Sequence, residues 1–145
     1  MRQVEASRSV PATPERVFSF VADLDNLPRW QTGIVSAERT YPDPIGIGST
    51  ARVVRELMGQ RIQVELRVTD YQPPHRLALA SEASGVGVHA ALDLQEDGEG
   101  SLVRFSMEIR AQNIFMAPME GMIAGAASSD LAASLDRLQA ALSET

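Results

Sequence analysis

The chain has 145 residues, of which 44% are hydrophobic and 22% are charged, so we expect one globular domain spanning residues 1–145. Its net charge is -6 and it lacks a basic run, which argues against nucleic-acid binding. Cysteine and lysine are both absent, since all 13 basic residues are arginine, and this excludes disulfides, thiolate nucleophiles and Schiff-base catalysis.

The first part of the chain predicts one strand followed by two short helices. Loose alternation over Arg2–Val10 indicates the strand. Thr13 is suited to cap the first helix and Pro14 to begin it. The buried face of this helix is predicted to contain Val17, Phe18, Val21 and Leu24. The run Asp23–Asn26 ends it, and Leu27–Trp30 suits a second short turn of helix.

From Gly33 onward the pattern becomes extended, with strands separated by turns that are rich in glycine and proline. The predicted strands are Ile34–Tyr41, Ser49–Leu57, Arg61–Tyr71, His75–Glu82, Val86–Leu94 and Leu102–Arg110. Among the predicted turns are Pro42–Pro44, Met58–Gln60, Ser84–Gly85 and Asp97–Gly100. The inward face of the second of these strands is ambiguous, because apolar residues occur on both sides of it.

One long helix, Pro118–Ser143, is predicted to close the chain, and its two halves differ. The first half is apolar almost all the way round, whereas the second is amphipathic. The apolar positions that recur along the helix are Ile123, Ala127, Leu131, Leu135, Leu138 and Leu142. We therefore expect the amphipathic end to pack on a sheet and the apolar end to lie over a pocket.

Several short motifs, in their order and spacing, resemble those of one known superfamily. They are Ala12–Phe18, Asp23–Trp30, Gly46–Thr50, Tyr71–Leu77 and the Asp97–Gly98 hairpin. Together they cover essentially the whole chain and resemble the START-like, Bet v 1-like superfamily, and within it the bacterial polyketide cyclase/dehydrase group.

The resemblance implies an α+β helix-grip fold. In this fold a curved antiparallel sheet of about seven strands surrounds a long C-terminal helix, with two short helices after the first strand and a hydrophobic cavity inside. Members of the family bind lipids, sterols, hormones or polyketides, and some catalyse cyclisation or dehydration. Because one fold hosts many activities, the resemblance bears more on the fold than on the function.

The most suggestive cluster consists of four methionines, Met107, Met116, Met119 and Met122. Methionine is flexible and polarisable, so the cluster suits either an adaptable ligand surface or a core that is filled without a ligand. Gly121 and Gly125 lie one helical turn apart and suggest a close approach there, either by a ligand or by a neighbouring strand.

Two further residues have open interpretations. The resemblance places Trp30 near the cavity mouth, where it would contact a ligand or else anchor the edge of the core. Arg55 would either hold a ligand carboxylate or phosphate or face solvent at a strand edge. The residues that we expect to contact a ligand are Trp30, Arg55, Leu66, Phe105, Met107, Met119, Met122 and Ile123.

No arrangement of residues identifies a catalytic centre. The two histidines, His75 and His89, lie on different predicted strands, and no carboxylates are spaced to complete a metal site. His89 is predicted to face away from the core. We therefore predict no metal and no cofactor, and whether the chain is an enzyme stays open.

The favoured hypothesis is a binder of a hydrophobic small molecule, lipid- or polyketide-like, held between the sheet and the C-terminal helix. The alternative is a cyclase, aromatase or dehydratase, which would act largely by positioning a reactive chain. A weaker alternative is a protein-interaction module. No leader and no long apolar run are present, so we expect a cytoplasmic protein without a membrane span. The sequence does not decide whether it forms a homodimer.

Overall fold

The computed structural model describes residues 2–42, 44–57, 59–83 and 85–143. Three of the predicted turns, Pro42–Pro44, Met58–Gln60 and Ser84–Gly85, each contain one residue that lies outside this set.

The elements follow the predicted order, and their ends differ from the predicted ends by only a few residues. The strands are β1 (Arg2–Val10), β2 (Ile34–Arg39), β3 (Thr50–Leu57), β4 (Gln60–Gln72), β5 (Arg76–Ala83), β6 (Val86–Asp97) and β7 (Gly100–Ala111). The helices are α1 (Pro14–Ala22), α2 (Leu27–Trp30) and α3 (Ala117–Ser143), with single 3-10 turns at Leu24–Asn26 and Ile114–Met116.

All seven strands form one open antiparallel sheet in the order β1-β7-β6-β5-β4-β3-β2. The pairing shifts between Val68 and Asp70 in β4 and between Ile34 and Ser36 in β2. Such irregularities bend a strand and increase its twist. Helix α3 lies against β1 and β7 and also contacts α2. The sheet and α3 therefore form the helix-grip architecture that the resemblance implies.

The sequence signals at the first helices correspond to observed caps. The backbone N–H of Arg16 donates to Thr13 Oγ1 at 3.4 Å, which confirms Thr13 as the N-cap of α1. The next turn begins at Asp23, whose carboxylate accepts from the N–H of Asp25 at 3.2 Å. Asn26 then donates its amide to Phe20 O at 3.1 Å, which ties the turn back to α1. These contacts determine where α2, and with it Trp30, enters the core.

The core lies between the inner face of the sheet and the second half of α3. The predicted inward residues of β7, which are Val103, Phe105, Met107 and Ile109, are all buried. The buried residues of α3 include Ala127, Leu131, Leu135, Leu138 and Leu142. Toward the other end of α3, Met119 and Ile123 are only partly buried. The predicted contrast between a packed half and an unpacked half is therefore observed.

The close approach suggested by Gly121 and Gly125 holds at only one of them. A Cβ atom on Gly121 would lie 3.6 Å from Nη2 of Arg2, whereas one on Gly125 would have nothing within 4 Å. Gly125 lies on the exposed side of α3, and no strand of the described residues approaches it. The expectation for Gly125 was therefore wrong.

Candidate functional site

A cavity of about 300 Å³ separates the first half of α3 from the inner face of the sheet. Its wall is mostly apolar and comes from β3, β4, β5, β6, the 3-10 turn before α3, and α3 itself. The apolar lining residues are Ile62, Val64, Ala83, Val86, Val88, Met116, Met119 and Ile123. Gln60, Ser81 and Arg55 complete the wall. Gln60 is exposed, so the start of β4 lies at the rim.

Two smaller spaces continue inward from this outer cavity. One, of about 20 Å³, is lined by residues that include Trp30, Leu66, Leu77, Phe105 and Met107. The other, of about 30 Å³, runs beside α3 and is lined by residues that include Gln31, Thr32, Asp130 and Ser134. Each could hold about one water molecule. Arg55 and Val88 line all three spaces, and these two residues therefore stand where the spaces meet.

Seven of the eight residues predicted to contact a ligand line these spaces. Those on the first inner space are Trp30, Arg55, Leu66, Phe105 and Met107. Met119 and Ile123 line the outer cavity. Met122 lies elsewhere, because its side chain projects from the outer side of α3 and is 56% exposed. We therefore remove Met122 from the candidate set.

Trp30 is a buried anchor of the core and also lines the inner space of about 20 Å³. The side chain is 1% exposed, and its ring lies 5.6 Å from that of Phe105 at an interplanar angle of 55°. It therefore anchors the core and also forms part of the cavity wall. Its indole Nε1 is buried without a hydrogen-bond partner in the described part of the chain.

Contacts with α3 hold the segment around Trp30 in place. Arg137 donates to Pro28 O at 2.8 Å, and the N–H of Thr32 donates to Ser134 Oγ at 2.8 Å. Because each bond joins α3 to a segment distant in sequence, these bonds fix α2 and the residues between α2 and β2 against α3. The inner wall of the cavity is therefore positioned by α3 as well as by the sheet.

Arg55 faces the cavity and not the solvent. It shares its side of β3 with Ala51 and Val53, which are both 0% exposed, and it pairs in register with Ile62 of β4. The alternation in β3 is ambiguous from sequence because Val54 occupies the opposite face. Within the described residues the guanidinium forms no hydrogen bond and no salt bridge. Burial lowers the pKa of Arg55, and the nearby carboxylate of Asp130 opposes this shift.

Among the polar residues of the wall that the sequence analysis missed are Asp130 and Gln31. Asp130 on α3 is partly buried, and burial raises its pKa while Arg55 lowers it. Gln31 directly follows α2 and is only 5% exposed. Asp130 immediately precedes Leu131 of the apolar stripe, and Gln31 immediately follows Trp30. Their positions next to buried residues are the signals that could have identified them.

The histidines lie away from the cavity. His89 is exposed, as predicted, and its Nε2 is 3.0 Å from Thr69 Oγ1. His75 is also exposed, with Nδ1 3.3 Å from Leu94 O. Among the described residues, no group of three or more His, Asp or Glu side chains is placed to hold a metal ion. Asp130 is thus the one ionisable acid in the described lining of the three spaces.

The outer surface near the cavity carries exposed apolar side chains. Ile114 is 82% exposed and Phe115 is 87% exposed, and both lie in the 3-10 turn before α3. The turn is capped by Asn113, whose Oδ1 accepts from the N–H of Met116 at 3.1 Å. In the part of the chain that the structure describes, no helix has the length and apolar character needed to cross a membrane.

Comparison with known proteins gives a family and several relatives. A family model described as "Polyketide cyclase / dehydrase and lipid transport" matches residues 1–143. The chain is 29% identical over 136 residues to the uncharacterized protein Rv1546 of Mycobacterium tuberculosis, a match that covers 93% of this chain and 94% of that protein.

Solved structures show the same fold. TTHA0849 from Thermus thermophilus matches with a TM-score of 0.80 at 19% identity, over 99% of this chain and 100% of that one. A START superfamily protein from Mycobacterium smegmatis matches with a TM-score of 0.76 at 20% identity, over 97% of this chain and 98% of that one. These structures confirm the fold, and the family model over residues 1–143 confirms the resemblance to the polyketide cyclase/dehydrase group.

Proposed function

Because the chain belongs to the polyketide cyclase/dehydrase and lipid transport family, we propose that it binds a lipid-like or polyketide-like small molecule between α3 and the sheet. The observation that supports this function is the outer cavity of about 300 Å³ with its largely apolar wall. Binding sites for small molecules typically measure roughly 300–1,000 Å³ and are mainly apolar, with a few polar groups that orient the ligand. The cavity is at the lower end of that range.

The physical basis of binding is the unfilled space next to α3. Side chains that border a void lose dispersion contacts on one side, and a ligand would restore them. Each square ångström of apolar surface removed from water contributes about 25 cal/mol. Met116 and Met119 line the same wall, and their flexible side chains can adapt to ligands of different shape. The wall therefore favours an apolar molecule without demanding one rigid outline.

Displacement of a neutral fluorescent probe tests this function. N-phenyl-1-naphthylamine would be titrated into the protein and then displaced by straight-chain alcohols of increasing length. Trp30 is the only tryptophan, so its fluorescence reports independently on occupancy near the inner wall. We expect saturable binding, with affinity rising with chain length until the cavity is filled. Native mass spectrometry of protein purified from its own host would show whether a molecule leaves on denaturation.

Two matched substitutions of valine test whether the probe binds in the cavity. Val88 lines all three spaces, so Val88→Phe should fill the junction and weaken probe binding about tenfold or more. Val35 is 40% exposed, and Val35→Phe should leave binding unchanged. Failure of the neutral probe and of all the alcohols to bind would contradict the proposed function. Equal effects of Val88→Phe and Val35→Phe on probe binding would also contradict it.

The second candidate is a cyclase or dehydratase, and Asp130 is the observation that favours it. Burial raises the pKa of this carboxyl group, which borders the space of about 30 Å³ and not the outer cavity, so it would exchange a proton with a bound substrate by way of one water molecule. Incubation with a poly-β-ketone thioester, followed by product chromatography, would test this. An enzyme of this kind would accelerate cyclisation over buffer, and Asp130→Asn would abolish the acceleration while probe binding persists. Equal rates of cyclisation with and without the protein would contradict the enzyme hypothesis, and binding would remain as the proposed function.

A further inference from the structure

Several polar side chains around the inner spaces form no hydrogen bond among the described residues. Trp30 Nε1 and Thr32 Oγ1 are fully buried without a partner, and the guanidinium of Arg55 and the carboxamide of Gln31 also form no side-chain hydrogen bond. Gln31 is 5% exposed and Trp30 is 1% exposed, so bulk water does not satisfy them freely. Arg55, Gln31 and Trp30 line the same inner space, and Arg55 also borders the outer cavity.

Arg55 would be unfavourable beside a purely apolar ligand. A partly buried cation that loses its remaining water without gaining an acceptor carries a large desolvation penalty. No carboxylate oxygen of the described residues lies within the 4.0 Å of a salt bridge to this guanidinium, including those of Asp130. A ligand that carries an acceptor at this point would remove the penalty, and a negatively charged acceptor would do so best.

We infer that the ligand is an amphipathic acid whose carboxylate or phosphate oxygens accept hydrogen bonds from Arg55 at the junction of the three spaces. The inference deepens the proposed function and rests on it. The apolar part of the ligand extends from Arg55 into the outer cavity, along Met119 and Ile123. The planar guanidinium presents paired N–H donors that match both oxygens of a carboxylate or phosphate. Trp30 and Gln31 supply further donors on the inner side.

The position of Asp130 favours a ligand whose acidic group binds Arg55 over a ligand whose cationic group binds Asp130. Asp130 borders only the space of about 30 Å³ beside α3 and does not line the outer cavity. A cationic group paired with Asp130 would therefore have to occupy a volume suited to about one water molecule. Arg55 borders the outer cavity itself, where the body of the ligand has room.

The test compares probes of equal chain length and different headgroup. Dodecanoic acid, dodecyl phosphate and dodecan-1-ol would displace the neutral naphthylamine probe at pH 7.5, below their micellar concentrations. The proteins would be wild type, Arg55→Met, Arg55→Lys and Arg52→Met. Arg52 is a matched control, because it lies on the same strand but is exposed, with Nη1 3.9 Å from Glu38 Oε2.

For the wild-type protein we expect at least one of the two acids to bind about 10- to 100-fold more tightly than the alcohol, as a charge-assisted pair predicts. Arg55→Met should abolish this preference, so that neither acid binds more tightly than the alcohol, and Arg55→Lys should retain part of it. Arg52→Met should behave as wild type. The tighter of the two acids then identifies the headgroup as carboxylate or phosphate.

Equal binding of acid and alcohol by the wild-type protein would overturn the inference while the proposed function stands. Loss of acid and alcohol binding in parallel on Arg55→Met would also overturn it, because the arginine would then act only on packing. Failure of all three probes to bind would overturn both. Thermal unfolding of each variant confirms that it is folded, and the wild-type comparison does not depend on any variant.

Discussion

Arg55 on β3 and Asp130 on α3 influence each other's ionisation across the space of about 30 Å³ without forming a salt bridge. Each group is partly buried, and burial shifts both pKa values toward the neutral form. Their mutual attraction opposes both shifts without cancelling them. The two residues therefore form an incompletely compensated charge pair that connects the sheet to the long helix, next to the cavity.

The first prediction concerns the effect of Asp130 on stability. The pKa of Asp130 is raised in the folded protein, so the folded state binds a proton more readily than the unfolded state does. The free energy of unfolding should therefore fall as the pH rises from the unfolded pKa, near 3.8, through the folded one. Asp130→Asn should remove this contribution to the pH dependence and stabilise the protein at pH 7 by a few tenths of a kcal/mol, a small effect because the group is partly exposed.

Urea unfolding at pH 3 and pH 7 measures this effect. The Arg55→Met background is the control, since it removes the attraction that offsets the burial of Asp130. In that background Asp130→Asn should stabilise the protein more than it does in the wild type. A loss of stability at pH 7 in the wild-type background alone would show that the attraction to Arg55, and not the burial, dominates at Asp130.

A second prediction concerns the bond that joins α3 to the chain after α2. Ser134 is 1% exposed, and its Oγ accepts from the N–H of Thr32 at 2.8 Å. Ser134→Ala leaves that N–H without its acceptor and should lower the free energy of unfolding by about 1–3 kcal/mol. Ser129→Ala, on the same helix but exposed, makes the same chemical change and should alter stability by less than about 0.5 kcal/mol.

Urea denaturation of both variants gives the comparison. The gain in helix propensity from serine to alanine is common to the two, so their difference isolates the hydrogen bond. Equal midpoints for the two variants would mean that water replaces Ser134 at no cost. Such a result would argue against a fixed inner wall for the cavity.

The fold could be predicted because its signals are repeated along each element. Alternation in β4 and β7 and the three- and four-residue recurrence in α3 each extend over many positions, so a single exception does not change the pattern. The turn and cap residues, such as Thr13, then mark the ends. The apolar wall could be predicted in the same way, since Leu66, Phe105 and Ile123 lie on those periodic faces.

The polar part of the site was harder to predict from the sequence, because it depends on single residues at the ends or edges of elements. Arg55 is the third inward position of β3 after two buried residues, but Val54 on the other face obscures the alternation. Asp130 and Gln31 come together only when α3 crosses beside α2, at a sequence separation of about 100 residues. Met122 was misplaced for a related reason, since an apolar helix segment does not indicate which side faces the sheet.

The third prediction contrasts the two halves of α3. Leu135 is 0% exposed, and Leu135→Ala should lower the free energy of unfolding by about 2–5 kcal/mol, as a new void in a packed core does. Ile123 already borders the outer cavity, so Ile123→Ala should cost less, about 1 kcal/mol. Ile123→Ala should change the affinity for the neutral probe, and Leu135→Ala should not.

Urea denaturation and probe titration of the same two variants measure both quantities. The two substitutions serve as controls for each other. Leu135→Ala is expected to cause the larger loss of stability, whereas Ile123→Ala is expected to cause the larger change in affinity. Equal losses of stability would contradict the division of α3 into a packed half and a cavity-facing half. An unchanged affinity in Ile123→Ala would place the probe away from α3.

The last prediction concerns the contact between Gly85 and Met116 beside the cavity. Gly85 has a φ of +79°, and a Cβ atom there would lie 2.9 Å from Cγ of Met116. Gly48 has a φ of +93° and nothing within 4 Å of such a Cβ atom. Alanine at either position should cost about 1 kcal/mol of stability through its backbone conformation. Only Gly85→Ala also displaces Met116, whose flexible side chain lines the outer cavity.

Gly85→Ala should therefore change the dissociation rate of the neutral probe by a few fold, and Gly48→Ala should leave it unchanged. Stopped-flow displacement measures the rate, and thermal unfolding checks that the two variants lose similar stability. The same dissociation rate in both variants would mean that ligands leave by a route that Met116 does not border. A change confined to Gly85→Ala would identify Met116, between the β5–β6 turn and α3, as part of the exit.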